Sequence, residues 1–399
     1  MSGQEAKVGP RPLQGITIVE FTHMVMGPTV GHILAGLGAE VVRVEPIGGD
    51  RTRRLIGSGS GYFPMYNRGK QSICLDLKSD GGIAIAKDLI AKADILVENF
   101  RPGALDRLGL DYNNCSASNP GLIYCSEKGF LPGPYEKRTA LDEVAQMMGG
   151  LAYMTGPPGQ PLRAGASVID VTGGMFGVIG VLAALEERHR TGKGQKVTAS
   201  LFETTTYLVG QHMAQFAVTG TPAAPMPARV SAWAIYDVFE TKDEPVFIGV
   251  VTDALWKKFC KLFALDDLWA NEAFRENNAR VEARDQIMPV VRAMVGDMTS
   301  AEVIAKLDGS GLPFAPIGRP QDMFEDPHLN QGGLEDVTLA NGTQVRLPTI
   351  PLEMNGKRIG SPQVLPTPGS DAGAVLEQLG YDAETIDAMI ASGDVGVSL

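Results

Sequence analysis

The strongest constraint on this chain is the rhythm of its first 130 residues. Short apolar runs of strand character alternate there with helical stretches. GITIVEF (15–21), EVVRVEP (40–46), QSICLDL (71–77), DILVENF (94–100) and GLIYCSEKGF (121–130) read as strands. Helical patterns fall between them at 28–39, 81–91 and 111–118. Continuous β-branched runs suit strands covered on both faces, and helical crossovers make their neighbours parallel. The fold class expected is α/β, a doubly wound, Rossmann-like sheet.

Beyond that block a long apolar helix is predicted over 174–190, then a strand over 196–201 and a helix over 202–217. TGTPAAPMPA breaks the pattern as a Pro/Ala linker. The domain organisation expected is a large domain over 1–218, a linker over 219–229, and a small α+β domain over 230–329. A return segment, 330–399, then completes the large domain. The small domain opens on a hairpin pattern, 234–241 and 245–251, and continues as amphipathic helices.

Charge narrows the partners. The 399 residues hold 46 acidic and 35 basic side chains, net −11. Residues 1–138 carry 16 Lys/Arg against 14 Asp/Glu, net +2, so the remainder carries 19 against 32, net −13. Such a chain is a poor partner for nucleic acid, where affinity comes from neutralising phosphates. A small phosphate-bearing ligand in the first third is compatible with the bias. The four cysteines are widely spaced with no CxxC pair, which points to a reducing compartment, the cytoplasm. No signal peptide is read in MSGQEAKVGPRPL, and VIDVTGGMFGVIGVLAAL reads as a buried helix, not a membrane span.

Several chemistries lack their residues. The first strand-to-helix turn is FTHMVMGP, without the G-x-G-x-x-G of a dinucleotide site. The five histidines form no HxH or HExxH pattern, so no metal site is expected. His23 lies on a strand-end loop and is a candidate for substrate contact. Asp170, in RAGASVIDVTGG, stands in an apolar stretch before two glycines. It reads equally as a helix N-cap or as a desolvated carboxylate poised as nucleophile or base. Gly173 and Gly174 would let a substrate approach, and their amides at a helix start could steady an oxyanion. Asp142–Glu143 forms a second acidic pair, or the start of a helix.

Taken jointly, GITIVEFTHMVMGP, LAGLGAEVVRVEPIGGD, NRGKQSICLDLKS, ADILVENFRPGALDRLGL, LDEVAQMMGG, IDVTGG and GVLAALEERHRTGKGQKV resemble the class III CoA-transferases of the formyl-CoA and carnitine CoA-transferase type. The resemblance spans nearly the whole chain. It implies that Asp170 is the catalytic aspartate, forming an acyl anhydride with the donor thioester, and that Asp142 is an acidic neighbour. It also implies CoA contacts at Val25 and Met26, at Leu75, Asp76, Leu77 and Lys78, and at Asn99, Phe100, Arg101 and Arg107. No tightly bound cofactor is implied, only CoA carried by acyl-CoA and carboxylic acid substrates. An interlocked homodimer is the implied assembly.

Departures shape the substrate expected. Val25 stands where the oxalate branch has glutamine, Pro46 where it has a CoA-contacting arginine, and its small-domain glycine loop is missing. The expected acceptor is a C4–C6 dicarboxylate such as itaconate, mesaconate, malate or citramalate, with succinyl-CoA as donor. Arg53 or Arg229 would then hold the distal carboxylate. The alternatives are an oxalate/formate or carnitine-type transferase, an α-methylacyl-CoA racemase-like proton transfer, and a non-catalytic CoA-binding protein. The racemase pairs His with Asp where this chain has Leu141-Asp142, and leucine cannot exchange a proton.

Overall fold

The computed structural model describes residues 10–229, 231–339, 341–360 and 364–397. The chain divides into two compact units, residues 1–225 with 327–399, and residues 226–326. The expected joints, 219–229 and 330, lie within a few residues of these limits.

In the larger unit the parallel strands are β1 (Thr17–Phe21), β2 (Glu40–Glu45), β3 (Gln71–Leu75), β4 (Ile95–Glu98), β5 (Ile123–Lys128) and β6 (Lys196–Ser200). Their spatial order is 3-2-1-4-5-6, and a two-residue strand, Val395–Gly396, adds antiparallel to β3. This is the dinucleotide-fold order, which reverses direction between β1 and β4 and opens a crevice beyond their carboxyl ends. That closing strand was not foreseen, because two residues carry no periodicity.

The helices that cover this sheet are α1 (Met26–Gly36), α2 (Asp80–Lys92), α3 (Tyr112–Ser118), α4 (Asp142–Met148), α5 (Val168–Thr191), α6 (Leu201–Leu208) and α7 (Gly210–Thr219). One face buries Ile73, Ile85, Leu89 and Leu96 against α2; the other buries Val30, Leu34, Ile123 and Val181 against α1 and α5. A buried ion cluster fixes the strand ends. Arg43 and Lys70 both hold Glu20, at 2.9 and 2.8 Å. Paired in this way, the charges are tolerated where a lone one would not be.

α5 starts six residues earlier than its sequence suggested. Gly173 and Gly174 look like helix breakers, yet both lie in its second turn. They are there for packing: a Cβ on Gly174 would stand 2.7 Å from the Met26 carbonyl, and one on Gly173 would stand 2.6 Å from Met26 Cε. The helix ends on Gly192 in the left-handed region, φ 71°. By length and composition α5 could cross a membrane. Its inner face packs on α1 and β5, however, as a core helix does. The stretch expected as one helix over 202–217 is two, α6 and α7.

The smaller unit is α+β. Strands β7 (Tyr236–Phe239), β8 (Val246–Gly249) and β9 (Phe314–Pro316) form an antiparallel sheet. Trp256, Phe259 and Val291 pack beneath it from the helices Asp253–Leu262 and Arg284–Gly296.

Candidate active site

The crevice between β1 and β4 is built by two loops that hold each other. Asn99 Oδ1 accepts from the His23 amide at 2.9 Å and lies 3.0 Å from His23 Nδ1. Its Nδ2 donates back to the His23 carbonyl at 2.8 Å. The Phe100 ring stacks on His23 with centroids 5.5 Å apart. Met24 takes φ 62°, a left-handed conformation costly for a side chain with a Cβ. A cavity of about 510 Å³ opens here. His23, Met24, Met26, Asn99, Phe100, Arg101 and Arg107 line one side, and Leu141, Asp142, Glu143 and Asp170 the other.

Asp170 is the third residue of α5. Ser167, which precedes the helix, makes no side-chain cap; Asp142 from α4 supplies one instead. Its Oδ2 accepts from the amides of Ile169 at 2.9 Å and Asp170 at 3.2 Å. Its Oδ1 accepts from Gln146 and from Arg163, which also bridges to Glu143. The acidic neighbour is thereby a borrowed N-cap that fixes the backbone of the first turn. Burial, then the charges of Asp142 and Glu143, push the Asp170 carboxyl up to about 7 against the pull of Arg163. A carboxylate so poised near neutral pH is a stronger nucleophile than an ordinary aspartate.

The structure separates the other expected residues. Gly173 and Gly174 offer no amides to an oxyanion, because second-turn N–H groups bond within the helix; this corrects the expectation. Val25 is buried, and only its neighbours Met24 and Met26 line the cavity. Leu75 belongs to the core, while Asp76, Leu77 and Lys78 follow β3 and lie outside the lining of this cavity. Arg53, expected as a carboxylate clamp, is already committed. It bonds Glu45 at 2.7 Å and the Pro366 carbonyl at 2.7 Å, and stacks over Phe63 at 3.8 Å. Arg229 belongs to the smaller unit.

One further cavity residue, Glu127, escaped the sequence reading, whereas Arg138 is among the basic residues of the net-positive first third that suit a phosphate-bearing ligand. Arg138 joins Arg101 and Arg107 at the exposed rim, and none of the three has a carboxylate partner among the described residues. Glu127 lies in the wall, on the penultimate position of β5. A glutamate following the apolar run Ile123–Cys125 within one strand was the available signal. Among the described residues no group of three His, Cys, Asp or Glu could hold a metal ion.

A parallel sheet in this order, with a raised aspartate in the cavity at its switch point, has the architecture of an α/β enzyme. The family model for CoA-transferase family III matches residues 13–372, and the chain belongs to that family. An acetyl-CoA:oxalate CoA-transferase of Acetobacter aceti is 34% identical, over 88% of this chain and 93% of that one. A succinyl-CoA:glutarate CoA-transferase of Mus musculus is 30% identical, over 96% and 90%. The crystal structure of a CAIB/BAIF family protein from Brucella suis superposes with a TM-score of 0.82 at 31% identity, covering 93% of this chain and all of that one.

Proposed function

We propose that this enzyme transfers CoA from succinyl-CoA to a C4–C6 dicarboxylic acid through covalent intermediates on Asp170. The observation that carries the reading is the raised carboxyl of Asp170, its helix turn pinned by Asp142, in a cavity whose rim bears arginines without a carboxylate partner among the described residues. The Asp170 carboxylate attacks the thioester carbonyl; the C–S bond breaks and CoA thiolate leaves a mixed anhydride. Thiolate then attacks the aspartyl carbonyl, releasing the donor acid and forming an aspartyl thioester. The acceptor carboxylate displaces thiolate to give a second anhydride. Thiolate finally attacks the acceptor's acyl carbon, forming the new acyl-CoA and restoring Asp170. Arg101, Arg107 and Arg138 suit the phosphates of CoA.

Relatives named for oxalate and for glutarate leave the acid to be argued from the walls. Met24, Met26, Phe100, Leu141 and Leu201 line the cavity, an apolar surround better matched to a carbon chain than to oxalate. Leu141 also supports transfer over racemisation, since it holds the place a proton-exchanging histidine would need.

A homodimer is part of this reading. Met175, Ile179 and Leu182 on α5, and Met213, Phe216 and Val218 on α7, are exposed in the single chain. So large an apolar surface calls for a partner. The cytoplasm is proposed as its location, where the four buried, free cysteines would stay reduced.

The test is a comparison of kcat/KM for glutarate, itaconate, mesaconate, malate, citramalate and oxalate with succinyl-CoA as donor. One of the longer dicarboxylates should lead; preference for oxalate would overturn the substrate assignment.

A further inference from the structure

One carboxyl in the cavity wall has no part in the chemistry above. Glu127 is 2% exposed and lines the same cavity as Asp170. Cys125, two residues earlier on the same strand face, donates its thiol to Glu127 Oε1 at 3.3 Å. From α5 the facing residue is Gly177, where a Cβ would lie 2.0 Å from that oxygen and 3.1 Å from Val30 of α1. The helix thus leaves out a side chain where the carboxyl sits. Glu127 Oε2 is buried with no hydrogen-bond partner among the described residues.

The charged groups nearby do not neutralise an ionised Glu127. β4 contributes Glu98, which repels it; α1 and α5 offer Val30 and Gly177. Lys128 is turned to Glu98 at 2.6 Å and to the Phe100 carbonyl at 2.7 Å. Burial first, then Glu98, push the Glu127 carboxyl up to about 8 against the thiol bond and Lys128. At neutral pH it is a carboxylic acid. With Oε1 accepting from the thiol, its proton resides on Oε2, a buried donor that lacks an acceptor. Leaving such a donor unmatched is unfavourable, and a ligand oxygen would satisfy it.

We propose that Glu127 is a specificity-determining residue whose Oε2–H donates a hydrogen bond to the distal carboxylate of a dicarboxylic acyl group held at Asp170. Asp170, Gly173 and Gly177 fall on one face of α5 at i, i+3 and i+7. Seven residues at 1.5 Å rise separate the nucleophile from the level of Glu127 by about 10 Å along the axis. Met26, against Gly173, supplies the apolar flank between them. A chain with one carboxyl at each end matches that sequence of polar, apolar and polar groups. This inference rests on the transferase reading and adds the group that recognises the far end of the acid.

The test compares kcat/KM for glutarate and for pentanoate, with succinyl-CoA as donor, in wild type, Glu127→Gln and Glu127→Leu from pH 6 to 9. Glu127→Leu should lose about tenfold of the preference for glutarate while pentanoate is unaffected, since one tenfold step is 1.4 kcal/mol. Wild type should lose glutarate activity above about pH 8, where Glu127 ionises and repels the substrate. Glu127→Gln, which keeps a donor and cannot ionise, should lack that limb. Equal losses for both acids in Glu127→Leu, or a limb that persists in Glu127→Gln, would overturn the proposal alone. A wild type that exchanges CoA with pentanoate and with none of the dicarboxylates of the wider panel would overturn the proposal, and one that exchanges CoA with no acid at all would overturn the transferase reading together with it.

Discussion

Asp142 does two things to Asp170 at once. It holds the backbone of the first turn of α5 through two amides, and it places a negative charge beside the carboxyl. The two effects are separable, because an asparagine can still accept from the amides through its Oδ1 but carries no charge. On the proposed mechanism the nucleophile is the ionised form of Asp170, so the rate should rise as pH passes through about 7. In Asp142→Asn the Asp170 carboxyl loses a repelling neighbour, its pKa falls, and the rising limb should move to lower pH by roughly one unit. A pH profile of succinate release in a single turnover of succinyl-CoA checks this; a limb that stays in place would assign Asp142 a purely structural role. At this scale the sequence was partly legible. Asp170 stood out as an acid in an apolar run beside glycines, whereas the fate of Arg53 depended on Glu45, eight residues away, and on a carbonyl from the return segment.

Among the elements, the contact of α1 with α5 sets the geometry of the site, and glycines set the contact. Gly174 faces backbone, the Met26 carbonyl at 2.7 Å, and Thr29 Cβ at 2.9 Å; Gly173 faces the flexible end of the Met26 side chain. Alanine gains about 1 kcal/mol over glycine within a helix. That gain should roughly cancel the small adjustment of Met26 in Gly173→Ala. Gly174→Ala must push two helices apart, and overpacking costs about 1–3 kcal/mol. Urea unfolding should therefore show Gly174→Ala clearly destabilised and Gly173→Ala near wild type, the reverse order contradicting this account of the interface. The strands were legible because buried parallel strands announce themselves as unbroken apolar runs. The start of α5 was not, because glycines read as a boundary when only their neighbours in the chain are visible. The neighbour that explains them is Met26, some 150 residues earlier.

For the molecule as a whole, the strand order 3-2-1-4-5-6 puts the β1 and β4 loops side by side, so His23 and Asn99 meet although 76 residues separate them. The alternation of elements foretold a doubly wound sheet, but the wall residue Glu127 became meaningful only once β5, α1 and α5 were packed together. The exposed apolar faces of α5 and α7 belong to the same scale. If two chains interlock over them, as the family resemblance implies, the dimer cannot separate without unfolding, and its sedimentation coefficient should not fall on dilution. Monomer appearing at low concentration would contradict the interlocked arrangement. The central claim, covalent transfer through Asp170, is tested most directly by trapping. Protein incubated with succinyl-CoA and quenched with hydroxylamine should carry a hydroxamate on Asp170 in peptide mass spectra, and Asp170→Ala should neither form it nor exchange CoA. Undiminished exchange by Asp170→Ala, or a trapped acyl group on any other residue, would contradict the account.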